Sequence, residues 1–342
     1  MKNSSAPTMK DVAREAGVSL GTVSKVINGI PVGEAYRIRV DEAIQRLDYR
    51  VNNYARGLKT NKTNSVALLM PSLRHPFFAL LTNELTACLS RHGYRAILMI
   101  TNFDPDAERK SFIMVRQNKA DGVIALTYAP DLDTDGSLPL VSIDRHFSDR
   151  VPCVSSDNFR GGQMAAEKLL ELGCKKLLFM RIGPDVEGEA DKRSSGFISV
   201  CRRLSVDHQA IILQDRDTEA PFFRFLDEHI HEGKLDFDGI FCNTDGLAVR
   251  VLSYLRDRGV AVPEDVQIIG YDGTRQFFTE DYYCSTIVQP VRQMAETAVD
   301  ILLSEDRSLM PALICLPVAY AAGGTTREPL SSDGGQSWPA NI

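Results

Sequence analysis

Two short runs near the start of the chain constrain its fold more than any other stretch. Met9, Val12, Ala13 and Ala16 recur at i, i+3, i+4 and i+7, the spacing of one apolar helix face. Gly17 follows at once, the residue type that takes positive φ just past a helix C-terminus. Val18 then plugs a corner, Ser19 is suited to N-cap a second helix, and Val23, Val26 and Ile27 turn inward along it. Leu20, Gly21, Thr22, Ser24, Lys25 and Asn28 are left outward or at the edge. A face of short polar side chains with one cation suits the floor of a DNA major groove, so the pattern predicts a helix-turn-helix with Leu20–Asn28 as the reading helix. On spacing alone, an ordinary αα-hairpin in a helical core is the alternative. A third helix over 34–47, with Ile38, Ala43, Ile44 and Leu47 inward and Tyr49 beneath, completes a small three-helix head, and Thr8 is placed to cap its first helix.

Charge separates this head from the rest. Residues 1–62 hold 11 Lys and Arg against 6 Asp and Glu, about +5, while the remainder holds 28 against 39, about −11. A basic head and an acidic body fit a protein that docks on phosphates at one end only. The seven cysteines are scattered, with no C-x-x-C pair and no Cys/His set at zinc spacing, which fits a reducing cytosol. The first thirty residues carry no apolar signal-peptide core and no run approaches a membrane span, so a cytoplasmic protein without membrane contact is expected. No Walker A loop, G-x-G-x-x-G or G-x-S-x-G is present, and the six histidines are dispersed, so neither an enzyme, a cofactor nor a metal is expected. His229 and His231, on one expected helix, cannot share a face and are expected to be solvated.

From Ser65 onward, apolar strand-like runs alternate with amphipathic helices. Strands are expected at 65–70, 94–101, 122–127, 140–143, 176–182, 210–213, 239–242, 266–271 and 313–318. Helices are expected at 77–91, 105–118, 158–172, 192–204, 221–231, 245–258 and 290–303. So many strands in one α/β chain divide better into two doubly wound parallel-sheet lobes than into one sheet. Ligands in such sheets bind beyond the carboxyl ends of strands and between lobes. Asp144, Asp245 and Asp272 each follow an apolar strand, Arg193 opens a helix, and Gln289 follows the last crossover strand. Carboxylates and a guanidinium bind sugar hydroxyls, and Phe77 and Phe78 can supply an aromatic face. Turn- or helix-capping roles for Asp144 and Asp272, and a core role for Phe78, are the competing assignments.

Several motifs together carry a resemblance. They are Lys10–Asn28, Tyr54-Ala-Arg-Gly-Leu58, Pro76-Phe-Phe78, Ile143-Asp-Arg145, Ser156-Asp-Asn158, Arg193-Ser-Ser-Gly-Phe197, Val262-Pro-Glu-Asp-Val266, Gly270-Tyr-Asp272 and Gln289-Pro290. Over residues 8–330 the chain resembles the lactose-repressor (LacI/GalR) family of bacterial transcription regulators, and Tyr271-Asp-Gly273 is similar to sucrose-type members. The resemblance implies a periplasmic-binding-protein-like core with three crossings between lobes near 160, 288 and 320. It implies the divisions 1–51 (head), 52–64 (hinge and linker), 65–160 plus 288–320 (N-lobe) and 161–287 plus 321–330 (C-lobe), with 331–342 a disordered tail. It also implies a homodimer on pseudo-palindromic operator DNA, answering to a small effector, a sugar. With no leucine heptad after 320, a dimer rather than a tetramer is expected.

By likeness, Leu20, Gly21 and Lys25 fall at base-reading positions, where Lys25 can donate to guanine, Leu20 can touch a thymine methyl and Gly21 reads nothing. A partly buried helix position is the competing assignment for Leu20. Ser19, Thr22, Ser24 and Asn28 suit phosphate contacts. Leu58 resembles the family's minor-groove wedge, with Ala55 and Lys59 beside it. Departures from the family pattern are Thr244-Asp245, Ala248-Val-Arg250, Gly323-Gly-Thr-Thr, and no stacking aromatic near 216–220 unless Phe222 or Phe223 takes its place. The alternatives are a cytosolic or transport-linked sugar-binding sensor, and a regulator answering to a non-sugar metabolite.

Overall fold

The structure, a computed structural model, describes residues 7–49, 63–129, 132, 136, 138–146, 148–183, 188–214, 219–276, 279–304, 306 and 310–327. The chain forms two compact units, the second beginning at Asn64.

The first unit is three helices, α1 (Met9–Ala16), α2 (Leu20–Ile27) and α3 (Glu34–Arg46). Gly17 ends α1 at φ 63°, and the Val18 N–H reaches back to the Ala13 carbonyl at 3.0 Å, so the turn closes as its sequence requires. The expected cap at Thr8 runs in the opposite sense. Asp11 accepts both the Thr8 N–H (2.9 Å) and the Thr8 hydroxyl (2.7 Å). Val12, Ala13, Ala16, Val23, Val40, Ala43 and Tyr49 form the core. Ile38 does not join it and is 49% exposed. The inward stripe of α3 runs Val40, Ala43, Ile44, Leu47, and Ile38, two residues before Val40, lies on the far side of the helix.

The second unit holds two six-stranded sheets, ordered β13-β5-β4-β3-β1-β2 and β14-β12-β11-β10-β6-β7. The first sheet uses β1 (Ser65–Met70), β2 (Arg95–Ile100), β3 (Gly122–Ala125), β4 (Leu140–Ile143), β5 (Cys153–Ser156) and β13 (Leu313–Leu316). All of its pairings are parallel. The second uses β6 (Lys176–Gly183), β7 (Asp207–Gln214), β10 (Gly239–Cys242), β11 (Gln267–Asp272), β12 (Ser285–Val288) and β14 (Ala319–Ala321), with only β14 antiparallel. β5 and β14 were not foreseen, because four and three residues rich in Ser and Ala carry little periodic signal.

Both faces of each sheet are covered, as parallel sheets require. On the first, α4 (Pro76–Arg91) and α10 (Val291–Leu303) pack Leu81, Leu85, Met294 and Ala298 on one face, and α5 (Pro105–Gln117) packs Phe112 and Val115 on the other. On the second, α8 (Ala220–Glu228) and α9 (Asp245–Arg256) supply Phe222, Leu226, Val251 and Leu255. The opposite face receives Ala165, Leu169, Phe197 and Val200 from α6 (Asn158–Glu171) and α7 (Lys192–Arg203). The chain passes between the sheets at Asp157, at Gln289-Pro290 and at Pro317-Val318.

The expected helix over 221–231 stops at Glu228. Glu232 (φ 52°) and Gly233 (φ 76°) turn the chain so that β8 (Ile230–His231) pairs with β9 (Lys234–Leu235). His229 therefore caps a helix, half-buried against Phe225 at 4.3 Å, and only His231 is solvent-exposed.

Candidate nucleic-acid interface and effector cleft

The outer face of α2 is as open as its sequence predicts. Ser19 caps the helix by accepting the Thr22 N–H at 3.1 Å, and its hydroxyl lies 2.9 Å from that of Thr22. Asn28 closes the other end, donating from Nδ2 to the Ser24 carbonyl at 2.7 Å. Leu20 is 43% exposed. A Cβ on Gly21 would meet only Ser19 Oγ, at 3.7 Å, so packing does not demand glycine there. Lys25 is exposed and has no ion-pair partner among the described residues. Arg14, Arg37 and Arg46, in contrast, pair with Asp11, Glu34 and Glu42. Ala55, Leu58 and Lys59 lie outside the described residues.

The carboxyl ends of the two sheets hold a polar cluster centred on Asp272. Asp144 follows β4 at φ 52° and Asp272 ends β11 at φ 122°. Non-glycine residues are uncommon in such backbone. Asp144 accepts the Ser155 hydroxyl at 2.7 Å, and its carbonyl accepts the Glu189 N–H at 3.1 Å from the other lobe. Asp272 Oδ1 accepts from Gln289 Nε2 at 2.8 Å. Gln289 Oε1 accepts the Ser156 hydroxyl at 2.7 Å. A chain of hydrogen bonds thus runs from the end of β5 through a crossing to the end of β11.

Arg193 is fixed from several sides. Its Nε donates to Asn158 Oδ1 (2.7 Å), its Nη1 to the Asn243 carbonyl (2.7 Å), and its guanidinium lies 3.6 Å over the Tyr271 ring and 3.8 Å from Asp272. Two glycines make this possible. A Cβ on Gly162 would collide with the Arg193 carbonyl, and one on Gly196 with the Phe159 carbonyl, so α6 and α7 touch backbone to backbone.

Asp245 departs from the expected role. It is buried, its Oδ2 accepts the Thr274 N–H at 2.6 Å, and Oδ1 faces the Cys284 thiol at 3.5 Å. It anchors the turn after Asp272 from behind instead of facing the cleft. Burial pushes both carboxyls up, each to about 7, reinforced at Asp245 by the charge of Asp272 and opposed at Asp272 by Arg193. Burial also raises Asp144.

Phe77 is corrected as well. It is 5% exposed and belongs to the core beneath α4. Phe78 instead starts an aromatic row, His75, Phe78, Phe103 and Tyr128, with successive centroids 4.9, 6.3 and 5.4 Å apart. Phe103, in the left-handed region at φ 61° and 40% exposed, was missed, as were His75, Asn158, Ser156 and Asn243. Only the Ser156-Asp-Asn158 motif hinted at any of them. Phe222 is core and Phe223 stacks on Tyr254 at 4.1 Å, so neither replaces the absent aromatic near 216–220. Among the described residues no group of His, Cys, Asp and Glu is set to hold a metal ion, and no helix is long and apolar enough to cross a membrane.

Comparison with known proteins gives two family matches. Residues 8–52 match the bacterial regulatory proteins of the lacI family, and residues 63–304 match the periplasmic binding proteins and sugar binding domain of the LacI family. The sucrose operon repressor of Streptococcus mutans serotype c is 33% identical over 92% of this chain and 98% of its own. The ribose operon repressor of Bacillus subtilis is 33% identical over 94% and 99%. Among solved structures, a periplasmic binding protein/LacI transcriptional regulator from Alkaliphilus metalliredigens, complexed with D-xylulofuranose, superposes with a TM-score of 0.67 at 28% identity. It covers 78% of this chain and all of its own.

Proposed function

This chain belongs to the LacI family of bacterial regulatory proteins, and from that premise we propose that it represses carbohydrate-utilisation genes under the control of a sugar bound between its two lobes. The observation that carries this is the pairing, in one chain, of an open reading helix with a buried Arg193–Asp272–Gln289 constellation at the facing ends of two sheets. The sugar presents its hydroxyls to Asp144, Arg193 and Asp272 and an apolar face to Phe78 and Phe103. Relatives of equal identity are named for a disaccharide and a pentose, so overall likeness does not choose between them.

Two copies bind one pseudo-palindromic operator. Leu80 on α4 and Ile97, Leu98 and Ile100 on the edge strand β2 are exposed, an apolar surface that suits a second copy. In each copy Lys25 and Leu20 meet base edges, Ser19, Thr22, Ser24 and Asn28 meet phosphates, and Leu58, flanked by Ala55 and Lys59, wedges the minor groove. We divide the chain into head, hinge, two lobes joined by three crossings, and tail, at the boundaries given above. The chain works in the cytoplasm, by binding alone, with no reaction, cofactor or metal. The sugar moves the lobes, and so the hinge pair, only by the difference in its affinity for the two states.

Fluorescence anisotropy with an operator selected from random DNA, with and without a panel of mono- and disaccharides, tests this. Specific, salt-dependent binding shifted by one sugar is the expected result. Specific binding that no sugar moves would remove the sugar and keep the DNA reader. No specific binding at ~0.1 M salt, where such sites reach ~10⁻⁸ M, would overturn the regulator.

A further inference from the structure

We propose that Glu108, fully buried on α5, is a positioning residue for the effector cleft: its carboxyl fixes the turn at 127–129, and with it the Tyr128 ring that the sugar meets. The proposal rests on the sugar-cleft assignment above and deepens it by a residue that itself touches no sugar.

Glu108 is an expensive residue for its place. Phe112 and Val115 follow it at i+4 and i+7, and both pack into the core between α5 and the first sheet. Glu108 stands on that same stripe and is 0% exposed. An apolar side chain there would cost less, since a buried carboxyl gives up its hydration. What the carboxyl gains is three consecutive residues. It accepts the Thr127 hydroxyl, the Tyr128 N–H (3.0 and 2.9 Å to its two oxygens) and the Ala129 N–H (2.8 Å). Thr127 and Ala129 are themselves buried, so these donors have no water to turn to.

The held turn lies at the cleft end of the sheet. It follows β3, and the neighbouring strand β4 leads to Asp144, so both leave the first sheet at its carboxyl edge. Tyr128 stands half-buried at the end of the ring row, 5.4 Å from Phe103. Arg145, one residue past Asp144, is buried with its guanidinium 5.9 Å from the Tyr128 centroid. One carboxyl thus sets a ring, and through that ring the setting of the guanidinium beside it. An apolar side chain at 108 could fill the same volume. It could not fix the direction of two successive N–H groups, and so the tilt of the ring between them. Binding groups need to be held within about 0.5 Å for full effect, and a three-point tether supplies that.

Isothermal titration calorimetry of the full chain with sucrose, D-ribose and D-fructose, run beside urea unfolding, tests this. Glu108→Gln keeps the shape but turns an NH2 group toward the donors of the turn. For whichever sugar binds, it is expected to weaken binding about tenfold. In a Tyr128→Ala background the same change should weaken binding by less than about twofold while its loss of stability persists, because Glu108 acts on the sugar through that ring. Thr127→Val removes one of the three tethers, keeps the side-chain shape and is expected to weaken binding about threefold. This variant reads the tether even where Glu108→Gln does not fold. A packing role gives a different pattern, a lower urea midpoint with unchanged sugar affinity. That pattern, or equal losses of affinity in both backgrounds, would overturn the proposal while leaving the sugar cleft standing. Binding of none of the sugars by the wild-type chain would overturn the cleft assignment and this proposal together.

Discussion

The two lobes meet at the same cleft but bring different chemistry to it. The second supplies a buried ion pair: Arg193 and Asp272, braced by Asn158 and Gln289, with Asp245 behind. The first supplies chiefly rings, Phe78, Phe103 and Tyr128 with His75 at the end of the row, and one carboxyl, Asp144. A buried ion pair is coupled to folding, because removing one member strands the other. Rings on an open rim are coupled mainly to the ligand. The same cleft should therefore respond very differently to substitutions on its two sides.

The largest effect should come from the charged side. Arg193→Ala leaves Asn158 Oδ1 and the Asn243 carbonyl without their donor and takes from Asp272 the cation 3.8 Å away. Such a break costs about 3–5 kcal/mol. Urea unfolding should show it, and sugar should no longer shift operator binding. A midpoint equal to that of wild type would mean that the second lobe is not organised by this residue.

On the ring side, the comparison sharpens to a pair of phenylalanines. Phe77→Ala empties a core position and should cost about 3–5 kcal/mol. Phe103→Ala, at an exposed position, should change stability by less than about 1 kcal/mol. It should nonetheless weaken sugar binding severalfold by calorimetry. If Phe103→Ala also unfolds the lobe, the ring row is structure rather than ligand surface.

The sequence made these regions legible to different degrees. The head is local: α1, its Gly17 stop and α2 follow from spacings within one or two turns. Even there Ile38 was misplaced, because a stripe counted from it falls out of phase with Val40 and Ala43. In the core, an apolar run followed by Asp was enough to find Asp144 and Asp272, since strand ends are local too. Which of Phe77 and Phe78 turns inward depends on how the first turn of α4 sits on its sheet, and that is not written in the run itself. His75, Phe103 and Asn243 come from three separate strand–helix junctions, so no local spacing joins them. Asp245 looked like its neighbours in sequence. Only the Thr274 N–H and the Cys284 thiol, placed by the turn after β11, show that it faces backward.

The charged side also predicts how the protein responds to pH. Asp245 and Asp272 are both raised from 3.8 to about 7, chiefly by burial, so the pair binds protons more tightly in the folded chain than in the unfolded one. Their contribution to stability is therefore fully present below pH ~4, falls as pH rises through the interval to about 7, and is flat above it. Asp272→Asn should flatten that decline, which melting curves between pH 5 and 8 can read. A wild-type stability that rises through this interval would mean that Arg193 and Gln289, not burial, dominate the pair. The head carries no histidine, so it adds no imidazole titration of its own there.

The smallest effect lies at the head, where function and folding are least coupled. Gly21 has ordinary backbone and room for a Cβ, so Gly21→Ala should raise the stability of α2 by about 0.5–1 kcal/mol. If close approach to DNA is what glycine provides, the same change should weaken specific operator binding while leaving the sugar response intact. The methyl then stands between helix and bases and touches nothing within the protein beyond Ser19. Equal operator affinity with a more stable head would show that the position is simply unoptimised. The task of telling one base pair from another would then fall to Lys25 and Leu20.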